Sequence, residues 1–249
     1  MEIIRVANGD YGRYEDLLLY RDSLSREAEL YLIAYINEFG KFINKVFEAE
    51  IECIRLKKSI AYVQAAINSG GFVNREELDE YLNNVMSDYY RQLEDMINQQ
   101  KACKKTHTVS EYDILKIKKI YRRIAKQIHP DICPVIQQHP EFEELWNRVQ
   151  IAYNHNDLKN LEELEFLINK ALEDAGIDSV DVLIPDIDEK IKEVEAEIEK
   201  IRTTDPYLYR DLLNDDDAVK EKKRELKEKL EEYQNYKIEL QTYLDTIID

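Results

Sequence analysis

The chain has 249 residues, with 52 acidic against 35 basic side chains, a formal net charge of −17, and only 6 glycines and 5 prolines. That length allows one or two domains, and the scarcity of turn residues points to long helices. The acidic balance argues against a general nucleic-acid binder, which needs cationic surface for phosphates. No apolar run approaches the roughly 18 residues of a membrane span. Met1 to Asp10 shows neither the basic region nor the apolar stretch of a secretion signal. Cys53, Cys103 and Cys133 are odd in number and far apart, which suggests reduced thiols. The expectation is a cytoplasmic all-α protein with neither nucleic acid nor membrane as partner.

The first predicted helix runs from about Ser25 to Asn68. Leu32, Tyr35, Phe39, Phe42, Val46, Ala49, Cys53, Leu56, Ile60, Val63 and Ile67 recur in alternating steps of three and four, a heptad seam. Gly70 and Gly71 are available for a left-handed cap at its end. Asn74 can cap a second helix, with Glu76 and Glu77 in its first turn, where the helix dipole favours them. Leu78, Leu82, Val85, Tyr89, Leu93 and Met96 line that helix to about Lys104. The short connection implies antiparallel neighbours, so residues 1–104 read as an N-terminal long helical hairpin.

Ser110 and Asp113 have capping-box spacing at the start of a basic helix. At about 100° per residue, Ile117, Ile120, Tyr121, Ile124 and Ile128 share one face. Lys116, Lys118, Lys119, Arg122, Arg123 and Lys126 cover the other, and no acid lies between Asp113 and Asp131. Pro130 should stop the helix near Ile128, because it cannot continue a helix and biases the residue before it away from helical geometry. In the following helix Phe142, Trp146, Val149, Ala152 and Tyr153 form one apolar stripe, the natural partner of the Ile120/Ile124 face in an antiparallel hairpin. Asn156 or Asp157 can cap a further helix to about Glu173, completing a unit over 105–176, and a linker ends at Pro185.

The remaining segment, 177–249, reads as an acidic helical hairpin. Ile187, Ile191, Val194, Ile198 and Ile201 mark its first helix. A short helix at Tyr207–Leu213 is expected in the polar turn. Asp217 should cap a last helix with Val219, Leu226, Leu230, Tyr233, Leu240, Leu244 and Ile247 on its seam. Most of the excess negative charge lies here, so this hairpin could attract the basic helix within one chain and mask it.

The basic helix ending in His129-Pro130-Asp131, with the Trp146–Tyr153 helix after it, resembles the second helix, loop and third helix of a J domain, the co-chaperone module that engages DnaK-type chaperone ATPases. The likeness covers roughly a quarter of the chain. Trp146 stands where the family usually has Phe, and Ile132 and Cys133 where it usually has a basic residue and Asn. The family's first helix is not at its usual distance, so the segment ending near Lys104 is expected to cover the hairpin in its place. The expected fold is thus an all-α J-domain-like hairpin flanked by two long antiparallel coiled-coil-like hairpins.

The resemblance implies a co-chaperone that docks on a DnaK-type ATPase and stimulates its ATP hydrolysis, with clients met by the long hairpins. His129, Pro130, Asp131, Lys118, Lys119, Tyr121, Arg122, Arg123 and Lys126 would make the partner contacts. Six cations on one helix suit steering toward an acidic partner. The alternative is a coiled-coil scaffold retaining a J-like hairpin without ATPase stimulation. His129, Cys133 and His139 lack the paired spacing of a zinc site. No phosphate-cradling glycine loop, Gly-x-Ser-x-Gly or His-Glu-x-x-His occurs, so no catalytic residue, cofactor or metal is expected. The seams leave the oligomeric state open.

Overall fold

A computed structural model describes residues 9–105, 111–133, 139–176 and 186–248. Among these it is all-helical, with eight helices and no strand. The Ser110 cap and residues 177–185 of the expected linker lie outside the described residues. The helices are α1 (Gly9–Asn68), α2 (Arg75–Lys105), α3 (Glu111–Ile128), α4 (Pro140–Asn154), α5 (Leu158–Asp174), α6 (Ile187–Thr203), α7 (Tyr209–Leu213) and α8 (Asp216–Ile248).

The chain divides into two compact units, Met1–Glu29 with His107–Leu208, and Leu30–Thr106 with Tyr209–Asp249. This differs from the expected boundaries after 104 and 176, for a physical reason. The helix expected from Ser25 starts at Gly9, and its first turns bury Tyr14, Leu18, Leu19 and Leu24. Those turns belong to one unit and the rest of α1 to the other. Likewise α6 belongs to the first unit and α8 to the second.

In the second unit, α1 ends in a Schellman motif. Gly70 takes φ +72°, its N–H donates to Ile67 O (3.0 Å), and Gly71 N–H donates to Ala66 O (3.0 Å). Asn74 caps α2 as expected, accepting from Glu76 N–H at 3.0 Å. The pairs Asn44–Gln100 (3.1 Å) and Tyr62–Tyr81 (ring centroids 5.3 Å) set α1 and α2 antiparallel. Gly40 lets them close up, since a Cβ there would stand 3.3 Å from the Gln100 side chain. The last helix runs parallel to α1, with Lys237 on Glu52 (3.4 Å) and Gln64 donating to Tyr243 (2.8 Å). Leu56, Ile60, Val63 and Leu244 share a core there. Asp215, not Asp217, caps α8, accepting from Asp217 and Ala218 N–H (2.9 and 3.1 Å).

In the first unit, α3 and α4 are antiparallel. Tyr121 stacks on Tyr153 near one end (3.8 Å, 14°), and His129 meets Trp146 near the other (4.7 Å, 66°). The predicted faces meet: Ile117, Ile120, Ile124 and Ile128 are buried, as are Phe142, Trp146, Val149, Ala152 and Tyr153. Each fully buried aliphatic of this set is worth about 1.5–3 kcal/mol relative to exposure. Asp157 caps α5, accepting from Asn160 N–H at 3.0 Å. Leu161, Leu164 and Ile168 of α5 are also buried. Arg123 forks onto Glu165 (2.6 and 2.9 Å), and Gln127 donates to Asn169 (3.0 Å), so α5 runs parallel to α3.

The helix that covers the α3–α4 pair is not the one expected. The segment ending near Lys104 belongs to the second unit, and residues 9–29 of α1 take the role. They run antiparallel to α3, with Glu15 on Lys126 (2.5 Å) and Glu27 on Lys118 (3.1 Å). Arg26, 3% exposed, lies over the Tyr153 ring at 4.2 Å and donates to Asn156 Oδ1. Asn156 holds φ +56°, a left-handed conformation that asparagine tolerates better than most residues.

Candidate functional site

The helix α3 ends where Pro130 was expected to end it, and the backbone turns on His129. Its carbonyl accepts from Ile132 N–H (3.0 Å) and Cys133 N–H (2.7 Å), and its ring Nδ1 accepts from Asp131 N–H (3.0 Å). Proline fixes the backbone at the centre of this turn. His129 is buried at 3% exposure, whereas Asp131 is exposed and Pro130 half-buried. Beside the turn, Ile128, Pro130, Phe142, Glu143, Trp146, Asn147 and Gln150 line a groove of about 460 Å³.

Behind the turn lies a buried polar network. Asp22 Oδ2 accepts from Tyr121 OH at 2.7 Å and stands 3.7 Å from His129 Nε2, while Arg21 Nη2 donates to Asp22 Oδ1 at 3.0 Å. Burial alone would raise the Asp22 carboxyl. The His129 and Tyr121 contacts and the Arg21 charge outweigh it and hold the carboxyl below its ordinary value. The Tyr121 hydroxyl is pushed far up, by burial first and then by the Asp22 charge. Tyr14, also buried, is pushed up by burial and then by the Asp131 charge. Burial, with a smaller contribution from Glu15, pushes the Cys133 thiol up to about 11.

Tyr121 and His129, two of the expected partner contacts, offer almost no surface, because residues 9–29 of α1 close over them. The basic face is also less bare than its sequence implied. Lys118 and Lys126 pair with Glu27 and Glu15 of α1, and Lys116 and Arg123 pair with Glu162 and Glu165 of α5. These acids come from α1 and α5, while Glu195 and Glu197 of α6 are engaged by Arg13 and Arg21 of α1.

An exposed ion pair such as Lys116–Glu162 stabilises the fold little, so an acidic partner can exchange it at small cost, whereas the Glu15 oxygen on Lys126 is buried. Lys119 and Arg122 are exposed and carry no acidic partner among the described residues. With Lys126 they step by three and four along one stripe that leads toward the Asp131 turn. That surface can attract and orient an acidic ligand.

Asp22 and Arg26 escaped the sequence reading. The signal was present: Tyr14, Leu18, Asp22 and Arg26 recur every four residues, so two charged side chains continue an apolar stripe. Among the described residues, no group of three His, Cys, Asp or Glu side chains is placed to hold a metal ion, and no helix is long and apolar enough to cross a membrane. No family model, curated protein or solved structure matches this chain.

Proposed function

We propose that the α3–turn–α4 unit is a J-like module, and that the protein is a co-chaperone that docks on a DnaK-type chaperone ATPase and stimulates its ATP hydrolysis. The observation that carries this is the exposed Lys119/Arg122/Lys126 stripe leading to a proline-stiffened turn that presents the Asp131 carboxylate. A cationic track steers an acidic partner and sets its register. The exposed carboxylate at its end can then take a charge-assisted hydrogen bond from a partner arginine. Residues 9–29 would serve as the first helix of the module, with 30–106 inserted between it and the second. Client contacts fall to the second unit, where Ile238 and Tyr243 of α8 are exposed. Three free thiols suit a reducing cytoplasm shared with the ATPase.

The internal pairing of four of the six cations, with the burial of His129, favours a second reading: a helical scaffold whose J-like hairpin is structural. Steady-state ATP hydrolysis by a DnaK-type chaperone, titrated with this protein, separates the two. The co-chaperone reading expects stimulation whose half-saturating concentration rises at least about tenfold in the Lys119→Glu/Arg122→Glu variant, a loss of about 1.4 kcal/mol. Equal half-saturation for variant and wild type would favour the scaffold.

A further inference from the structure

The turn that carries Asp131 is fixed by an imidazole, and that imidazole faces an acid from a distant part of the sequence. A backbone N–H is always a donor. Because Asp131 N–H points at His129 Nδ1 across 3.0 Å, Nδ1 carries no proton. The ring proton then sits on Nε2, and the group it meets is Asp22 Oδ2 at 3.7 Å. That separation is longer than a hydrogen bond, but within reach of a strong charge–dipole attraction at a site only 3% and 15% exposed on its two sides.

The opposite tautomer meets two repulsions at once. The Nε2 lone pair would face the Asp22 carboxylate, and Nδ1–H would face the Asp131 amide hydrogen. Tyr121 OH and Arg21 hold Asp22 in place from other sides, while Trp146 packs edge-on to the imidazole at 4.7 Å. Ring and carboxylate are therefore both locked.

We propose that Asp22 is a positioning residue for Asp131: it selects the Nε2–H tautomer of His129, and that tautomer accepts the Asp131 amide and so aims the exposed carboxylate. The tautomer assignment stands by itself. Its consequence for a partner rests on the docking function proposed above. The first helix of the chain would thus set a turn more than a hundred residues away, through one imidazole.

Two-bond ¹H–¹⁵N correlation spectra of the full chain, with ¹⁵N-labelled histidine, read the tautomer directly. Wild type is expected to show acceptor-type Nδ1 and protonated-type Nε2 at His129. In Asp22→Asn, whose side chain can accept or donate, the tautomers mix and the Asp131 amide exchanges with solvent at least about tenfold faster. Asp22→Ser is read in the same way should Asp22→Asn fail to fold, and Asp22→Glu, which keeps a carboxylate, should restore the wild-type tautomer.

A protonated Nδ1 in wild type overturns the inference. So does an unchanged tautomer and unchanged Asp131 exchange in the Asn and Ser variants. In the chaperone assay, Asp22→Asn is expected to lower stimulation about tenfold. A wild type that stimulates nothing removes the docking function, while the spectra still decide the tautomer.

Discussion

Replacing Tyr121 by Phe removes one hydroxyl and leaves the ring in place, stacked on Tyr153 at 3.8 Å. The lost bond is a 2.7 Å donation to the Asp22 carboxylate, whose side chain is 15% exposed. Hydrogen bonds to charged groups contribute about 1.5–3 kcal/mol, and partial exposure of Asp22 puts the expected loss near 2 kcal/mol. The loss depends on pH, with a definite sign. Asp22 is held below its ordinary value in the folded chain, so its contribution is complete above the unfolded value and disappears as pH falls through the folded one. Without the hydroxyl, the folded carboxyl moves back toward its ordinary value. The variant therefore differs most from wild type at neutral pH and least in acid.

Trp146, the single tryptophan, is buried in this unit and reports its unfolding by fluorescence. Urea melts are expected to show a difference of about 2 kcal/mol at about pH 7 that shrinks as the pH falls through the range in which the folded Asp22 carboxyl takes up its proton. A difference below about 0.5 kcal/mol at neutral pH would refute the reasoning. An undiminished difference in acid would refute it equally.

Leu18 is 1% exposed in the part of α1 that closes over the α3–α4 pair. Leu18→Ala should cost about 2–5 kcal/mol in the unfolding followed by Trp146 fluorescence, and a loss under about 1 kcal/mol would mean that α1 does not cover that core. The three cysteines are buried and free, Cys133 pushed up to about 11 and Cys53 and Cys103 raised by burial. A thiol-reactive disulfide should therefore modify native protein at least about a hundredfold more slowly than urea-unfolded protein, and one fast native equivalent would contradict that burial.

The α3–α4 pair was legible because its signals agree. Ile117, Ile120, Ile124 and Ile128 keep helical period, Pro130 stops the helix, and Phe142 to Tyr153 supply the matching stripe. The Gly70 and Asn74 caps were legible for the same reason, since each residue type suits one backbone geometry. The covering helix was not. Its inner stripe passes from Tyr14 and Leu18 to Asp22 and Arg26, and apolar periodicity cannot recognise a charged residue buried against a partner. Only the side chains opposite, Tyr121, His129 and Tyr153, explain why an acid and an arginine belong there. The last helix was found, but not its neighbour, because a heptad seam states that a partner exists without naming it. The free charge on α3 was overestimated for a related reason. The partners of its cations, Glu15, Glu27, Glu162 and Glu165, lie far away in sequence.

The central proposal is that the exposed Asp131 carboxylate, at the end of the cationic stripe, triggers a partner's ATP hydrolysis. Single-turnover hydrolysis by an ATP-loaded DnaK-type chaperone, mixed with saturating wild type or Asp131→Asn, tests it most directly. Wild type is expected to accelerate the step at least about tenfold, and Asp131→Asn to leave it at the unstimulated rate while its Trp146-monitored unfolding stays within about 0.5 kcal/mol of wild type. No acceleration by wild type, or equal acceleration by a folded Asp131→Asn, would contradict it.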